Sequence, residues 1–273
     1  MTVFETRGHV ALRLTLSGGE VSIETSAEPS VEIELIPLRD NDSTGQAIAE
    51  ARVDMIDRRG GHEVVIQIPK KKSGVLAGRG AKIGVRVRCP RGSDLALRAG
   101  SADLEASGSL GAVEIKTASG DVSLEDVGSL DVNTGSGDVR VRHAARTIDV
   151  RAASGDATVR SCEGLLSANL VSGDLSVGEA AGGLAVTTVS GDVRVRSAGG
   201  GGMRIQAVSG DVELAITQGE SLYIDASSVS GTMSSELGLE EAPPADVGVG
   251  VIELHIRTVS GDVQITRATA VGV

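Results

Sequence analysis

The sequence predicts an all-β protein: a right-handed, single-chain parallel β-helix or β-roll solenoid with coils of about 18 residues. Three observations predict it. A seven-residue phrase recurs: "VSGDVRV" at 189–195 has near-copies at 118–124, 135–141, 171–177, 208–214 and 259–265. The interval is regular: the Ser of the phrase falls at 119, 136, 154, 172, 190, 209, 230 and 260, and a degenerate "GSAD" places Ser101 one period upstream. Aromatic bulk is almost absent: Phe4 and Tyr223 are the only rings, and 37 glycines accompany a Val, Leu, Ile and Ala core. A narrow, layered interior fits that composition better than a ring-filled globular core.

The strands follow from the register around each Ser. Six residues before it stand Leu95, Val113, Leu130, Ile148, Leu166, Leu184 and Met203; four before it stand Leu97, Ile115, Val132, Val150, Ala168, Val186 and Ile205. One and three residues after the Asp, apolar residues recur again, as in Val193 and Val195. The residues between are mostly polar. This period-2 alternation flanks the corner on both sides, so each unit holds one strand entering and one leaving. Neither buries its apolar face alone, but stacking units about 4.8 Å apart buries all of them. A hexapeptide left-handed helix needs an anchor every six residues, and a calcium nonapeptide roll needs G-G-x-G-x-D; neither spacing occurs. Right-handedness is expected from the general chirality of parallel crossovers.

Residues 1–92 are less regular, and 93–267 carry the regular coils, with 268–273 as a tail. "LRLTLSGGEVSI" (12–23) fits the same frame if Gly18 takes the Ser place. "VEIELIP" (31–37), "EVVIQIP" (63–69) and "IGVRVRCP" (83–90) read as strands stopped by Pro. Polar loops are expected at 38–51 and 70–82. The early part is read as coils with long insertions, making 1–273 one domain, with a small separate β-domain as the alternative.

The Ser-Gly-Asp corner has a structural reading and a functional one. Structurally, Gly permits positive φ at a tight bend, and Ser and Asp hydrogen-bond turn amides. Functionally, Asp121, Asp138, Asp156, Asp174, Asp192 and Asp211, with Asp103 and Asp262, would form a carboxylate column between which calcium could sit. Calcium takes six or more oxygens, and the motif supplies one carboxylate per coil, so the structural reading is preferred and no metal is assigned.

Chemistry is otherwise sparse. The formal net charge of −11 (37 acids, 26 bases) argues against a nucleic-acid face. His9, His62, His143 and His255 are scattered and expected at the surface. Cys89 and Cys162 lie in no metal spacing and fit a reducing compartment, with one disulfide left open. "GVLAGRGAK" (74–82) fits neither the P-loop nor the Rossmann fingerprint. Polysaccharide-active β-helices grip sugars on aromatic platforms, which two rings do not make. No enzyme and no cofactor is expected. No apolar run of about 20 residues occurs, so no membrane insertion is expected and the reading is cytoplasmic. The interaction candidates are the basic loop Lys70, Lys71, Lys72, Arg79 and Lys82, which could touch an anionic surface or acidic partner, and Leu237, Leu239, Glu240 and Glu241 in the insertion that lengthens one coil.

The "SGDV-x-V" unit at this period, the "LSGGEVSIET" opening and the "V-x-V-x-C-P" strand resemble a bacterial β-strand-repeat family of unknown function, adhesin-like and similar to the Toastrack domains. The resemblance covers about residues 8–267. It implies a single-chain right-handed β-helix, a non-enzymatic scaffold and an association with envelope-stress systems; it supplies no catalytic residues. The expected function is a non-catalytic cytoplasmic scaffold for protein–protein interaction. The alternatives are a self-assembling filament-like element and a calcium-dependent adhesin-like module.

Overall fold

The computed structural model describes residues 1–69, 81–217, 221–236 and 251–268, and the side chains of Ser221 and Val251 are left aside. The chain is all-β, with one short helix, and its strands stack in parallel as solenoid coils. It forms two compact units, 1–139 and 140–273.

In the second unit the predicted columns are present. Ile148, Leu166, Leu184, Met203 and Leu254 lie in register on successive strands, as do Val150, Ala168, Val186, Ile205 and Ile256. Leu175, Val193, Val212 and Val263 form a column on the leaving strands. All are buried. β-branched and small aliphatic side chains fill such columns without gaps, which is why rings are dispensable. A further column consists of small residues: Cys162 pairs with Ala180 and Ala180 with Ala198.

The coils do not stack in chain order. Strand Met203–Ser209 pairs with Val251–Ser260, which in turn pairs with Ser221–Ser230. Likewise Val212–Ile216 pairs with Val263–Arg267, and that with Met233–Ser235. The C-terminal coil is therefore inserted beneath the coil that precedes it in sequence. The step from Ser209 to Ser260 is the long one in chain but adjacent in space. Consistent with an end position, the inward residues Leu222, Ile224 and Ala226 are only half-buried.

The first unit repeats this device at its own start. Strand His9–Ser26 lies between Asp94–Ser119 on one side and Gly61–Gln67 with Ile83–Pro90 on the other, all parallel. Gly18 pairs with Ser101, as the sequence frame requires. The outer coil is then covered by antiparallel strands: Arg52–Arg58 on Gly61–Gln67, Ser30–Pro37 on Ile83–Pro90, and Thr2–Glu5 on Ser30–Pro37. The insertions are thus partly an antiparallel cap rather than loops on coils. The two-residue turn Arg59–Gly60, with Gly60 at φ 96°, can only return the chain antiparallel. The expected loop 38–51 holds a helix, Asp42–Ala49, capped by Asn41, whose Oδ1 accepts the Thr44 amide at 2.8 Å. Its buried face is only Thr44 and Ala47, too short a pattern to announce itself.

Candidate functional site

The Ser-Gly-Asp corners are the most repeated polar feature, and their geometry is uniform. In the first unit Asp103 Oδ1 accepts the Asp121 amide at 3.0 Å, and Asp121 Oδ1 accepts that of Asp138 at 2.9 Å. In the second, the same bond runs from Asp156 to Asp174, Asp192, Asp211 and Asp262, each carboxylate accepting the next coil's Asp amide at 2.8–2.9 Å. It ends at Asp262, which accepts the Thr232 amide at 2.8 Å. Around it, Ser carbonyls accept Gly amides of the preceding coil, as from Gly173 to Ser190 at 3.1 Å, and Asp carbonyls accept the amide that follows the preceding coil's Asp, as from Leu175 to Asp192 at 2.9 Å. Thr117 and Thr134 donate their hydroxyls to the Ser119 and Ser136 carbonyls. Successive bends thus satisfy one another's backbone, as half-buried turns must.

The glycine is required twice over. Gly191 has φ 140°, and a Cβ there would stand 2.1 Å from the Gly173 carbonyl oxygen. Neighbouring coils approach through that missing side chain.

Within each unit the carboxylates therefore form a hydrogen-bonded ladder, with Oδ1 of Asp103 and Asp121 in the first and of Asp156, Asp174, Asp192, Asp211 and Asp262 in the second engaged by backbone. Among the described residues, no three His, Cys, Asp or Glu side chains converge to hold a metal ion. Asp192 also pairs through Oδ2 with Arg194 at 2.8 Å.

Of the loop candidates, Lys82 is described: it is exposed, and its carbonyl accepts the Leu38 amide at 3.1 Å. Lys70, Lys71, Lys72 and Arg79, and Leu237, Leu239, Glu240 and Glu241, lie outside the described residues. The histidines pair with neighbouring-strand or hairpin groups: His9 with Asp94 at 2.8 Å, His62 with Asp57 at 2.9 Å, His143 with Ser161 at 3.0 Å and His255 with Asp225 at 3.2 Å. Both thiols are free and buried; burial raises Cys162 and pushes Cys89 up to about 11. A cleft of about 380 Å³ in the first unit is lined by Thr6, Arg7, Glu28 and Arg91 among others, with no histidine or cysteine.

Two features escaped the sequence reading. Glu63, buried at 7% exposure, bridges Arg13 and Arg58, with Nε–Oε distances of 2.8 Å to each. Arg58 donation first, and the Arg13 charge with it, hold this carboxyl below the usual range against the opposing effect of burial. The second is a run of outward valines immediately before the Ser of five corners: Val171, Val189, Val208, Val259 and Val229. Its signal is in the repeat itself, where Ala118, Gly135 and Ala153 give way to Val from 171 onward.

A family model matches residues 13–266, nearly the whole repeat array. The chain belongs to the Toastrack DUF4097 family. Solved structures resemble this Toastrack chain at low identity. One, described as a candidate adhesin from Parabacteroides distasonis, is 15% identical, covers 97% of each chain and has a TM-score of 0.52. Another candidate adhesin, from Bacteroides fragilis, is 12% identical over 96% of this chain and 95% of its own, with a TM-score of 0.42. A candidate cell-adhesion protein from Clostridium sporogenes is 10% identical over 96% and 98%, with a TM-score of 0.25. At these identities the Parabacteroides likeness speaks for the fold alone. None of the curated proteins matches the chain. The Toastrack family is not one of known enzymes. Among the described residues, no helix is long and apolar enough to cross a membrane.

Proposed function

We propose that this Toastrack chain is a non-catalytic scaffold for protein–protein interaction, acting in the cytoplasm and serving an envelope-stress response. One observation carries the reading: the recurrent acidic side chain of the repeat, the corner Asp, is engaged by backbone in coil after coil. Polar groups that hold a frame are not available for chemistry, so recognition falls to the outward strand faces and to the long connections at 70–82 and 234–250. The family relationship supports the non-enzymatic part of this reading. The Parabacteroides neighbour's description as an adhesin favours a second reading, in which the same frame carries surface attachment.

The test is affinity capture from the native host with the intact chain and with a variant whose 237–250 segment is replaced by a short Gly/Ser linker. A defined partner retained by the first and lost by the second supports the scaffold. Capture of nothing but the chain itself sinks it, and binding to extracellular matrix or cell surfaces instead favours attachment.

A further inference from the structure

We propose that the outward valine column of the second unit is the contact through which two copies of this chain associate. This goes beyond the scaffold reading and does not rest on it. Val171, Val189, Val208 and Val259 are each 47–55% exposed, and Val229 is 83% exposed. They precede Ser172, Ser190, Ser209, Ser260 and Ser230, which are paired in register, so the five valines line one stripe in stacking order. At strand spacing the stripe runs about 19 Å. A single exposed valine needs no explanation, but five in one unbroken column are an apolar patch of the kind that marks an interface.

A second copy is the occupant the charges favour. The chain is acidic overall, −11, so two copies repel wherever their acids face. The two strand columns beside the stripe are poor in acids. They hold Arg204 and Arg257 against one acid, Asp225; apart from His255 the rest is Ser, Ala, Asn, Thr and Gln. The corner Asp ladder flanks the stripe on its other side. A two-fold axis along the stripe sets valines against valines and turns each copy's Asp flank toward the other's arginine flank. The same residue type at each level makes the column self-complementary, as an isologous contact demands. The stripe with its two columns, about 19 Å by about 13 Å, covers only a fraction of the about 800 Å² per partner of a standard interface, so association is weak and concentration-dependent.

The experiment is sedimentation velocity of the full chain across a concentration series, beside Val189→Asp with Val208→Asp, the milder Val189→Ser with Val208→Ser, and Ala153→Val, which lengthens the stripe by one coil. The native chain is expected to move from monomer to dimer and stop there. Both double variants are expected to dimerise at least about tenfold more weakly with unchanged thermal unfolding, and Ala153→Val more tightly. A native chain that stays monomeric at every soluble concentration overturns the proposal. So does an open-ended ladder of larger species, which would mean end-to-end stacking, or a dimer that the folded double variants leave intact.

Discussion

The backbone amide of Asp262 donates to the carboxylate of Asp211 across 2.8 Å, although 51 positions of chain separate them. The bond is the same one that joins Asp192 to Asp174, 18 positions apart. What recurs is spatial adjacency, not sequence distance, and the C-terminal coil satisfies it by entering beneath 221–235. The corner left at the end of the ladder is then 230–232, and it is the one Ser-Gly corner whose next residue is Thr rather than Asp. Thr232 contributes its amide to Asp262 but has no carboxylate to offer a further coil. Among the described strands, Ser221–Ser230 and Met233–Ser235 pair on one side only. An end without its capping side chain disfavours another coil docking there, a local device against edge-to-edge growth.

The ladder predicts graded costs at the Asp positions. Asp174→Ala removes the acceptor for the Asp192 amide and is expected to lower stability by about 1 kcal/mol, as removal of a helix N-cap does. Asp174→Asn keeps an acceptor and should lose less. Thr232→Asp should gain nothing, since no described strand pairs beyond it. Urea unfolding of the three variants checks the order, and an equal loss in Asp174→Asn and Asp174→Ala would remove the acceptor role.

The glycines predict a sharper contrast. Gly191→Ala forces a Cβ to 2.1 Å from the Gly173 carbonyl at φ 140°. It is expected to cost about 3 kcal/mol or more. Gly202 is exposed, with nothing within 4 Å of its would-be Cβ, so Gly202→Ala should be neutral or slightly stabilising. Thermal melts of the pair measure this directly.

These features were unequally legible in the sequence. The columns, the corner and the frame of 12–23 followed from period-2 alternation, because buried faces in stacked coils demand it at every level. The order of stacking did not. Alternation fixes which face a residue occupies, not which strand lies next, and the insertion of 251–267 beneath 221–235 announced itself only through the long steps near Ser230 and through Thr232. The antiparallel cap was hidden for a related reason: Arg52–Arg58 alternates no more clearly than a loop would, with burial only intermediate at Val53 and Met55. The outward valines were in plain view, but an apolar residue beside a Gly reads as part of the corner until its exposure is known.

Glu63 gives a pH dependence of definite sign. Its carboxyl is held below the usual range by Arg58 and Arg13. A carboxyl whose folded value is depressed contributes stability above its unfolded value, about pH 4.3, and loses it as pH falls through the folded one. Wild type should therefore lose more stability than Glu63→Gln on acidification from neutral to about pH 3. At neutral pH the substitution should cost only about 1 kcal/mol, because both arginines keep more than half of their side-chain surface in water. Parallel pH–stability profiles for the two would remove the assignment.

The thiols are predicted to be silent until the chain unfolds. Cys89 and Cys162 are free and at most 1% exposed, and burial raises both away from the thiolate. Neither should react with a thiol reagent at neutral pH in the native state, and both should react in denaturant. Native labelling of Cys162 alone would mean that the small-residue column opens locally around Ala180 and Ala198.

Truncation before residue 251 tests the inserted coil. In a solenoid stacked in chain order, removing the last coil exposes one fresh edge and leaves the rest paired. Here it removes the middle layer: Ser221–Ser230 loses its sheet partner Val251–Ser260, and Thr232 loses the Asp262 carboxylate. Residues 221–235 then have to reach Met203–Ser209 and Asp211 directly. The register would allow that, since Ile224 and Met203 both align with Leu254 of the inserted strand. The leaving strand does not favour it: Met233–Ser235 is exposed throughout and would set Ser235 against Leu214, where the inserted coil sets Ile265. Hydrogen exchange is therefore expected to show amide protection lost across 221–235 in the 1–250 chain while 166–195 keeps its protection. If 221–235 stays protected, it stacks directly on the coil before it despite its polar leaving strand, and the C-terminal coil is an insertion the frame can do without.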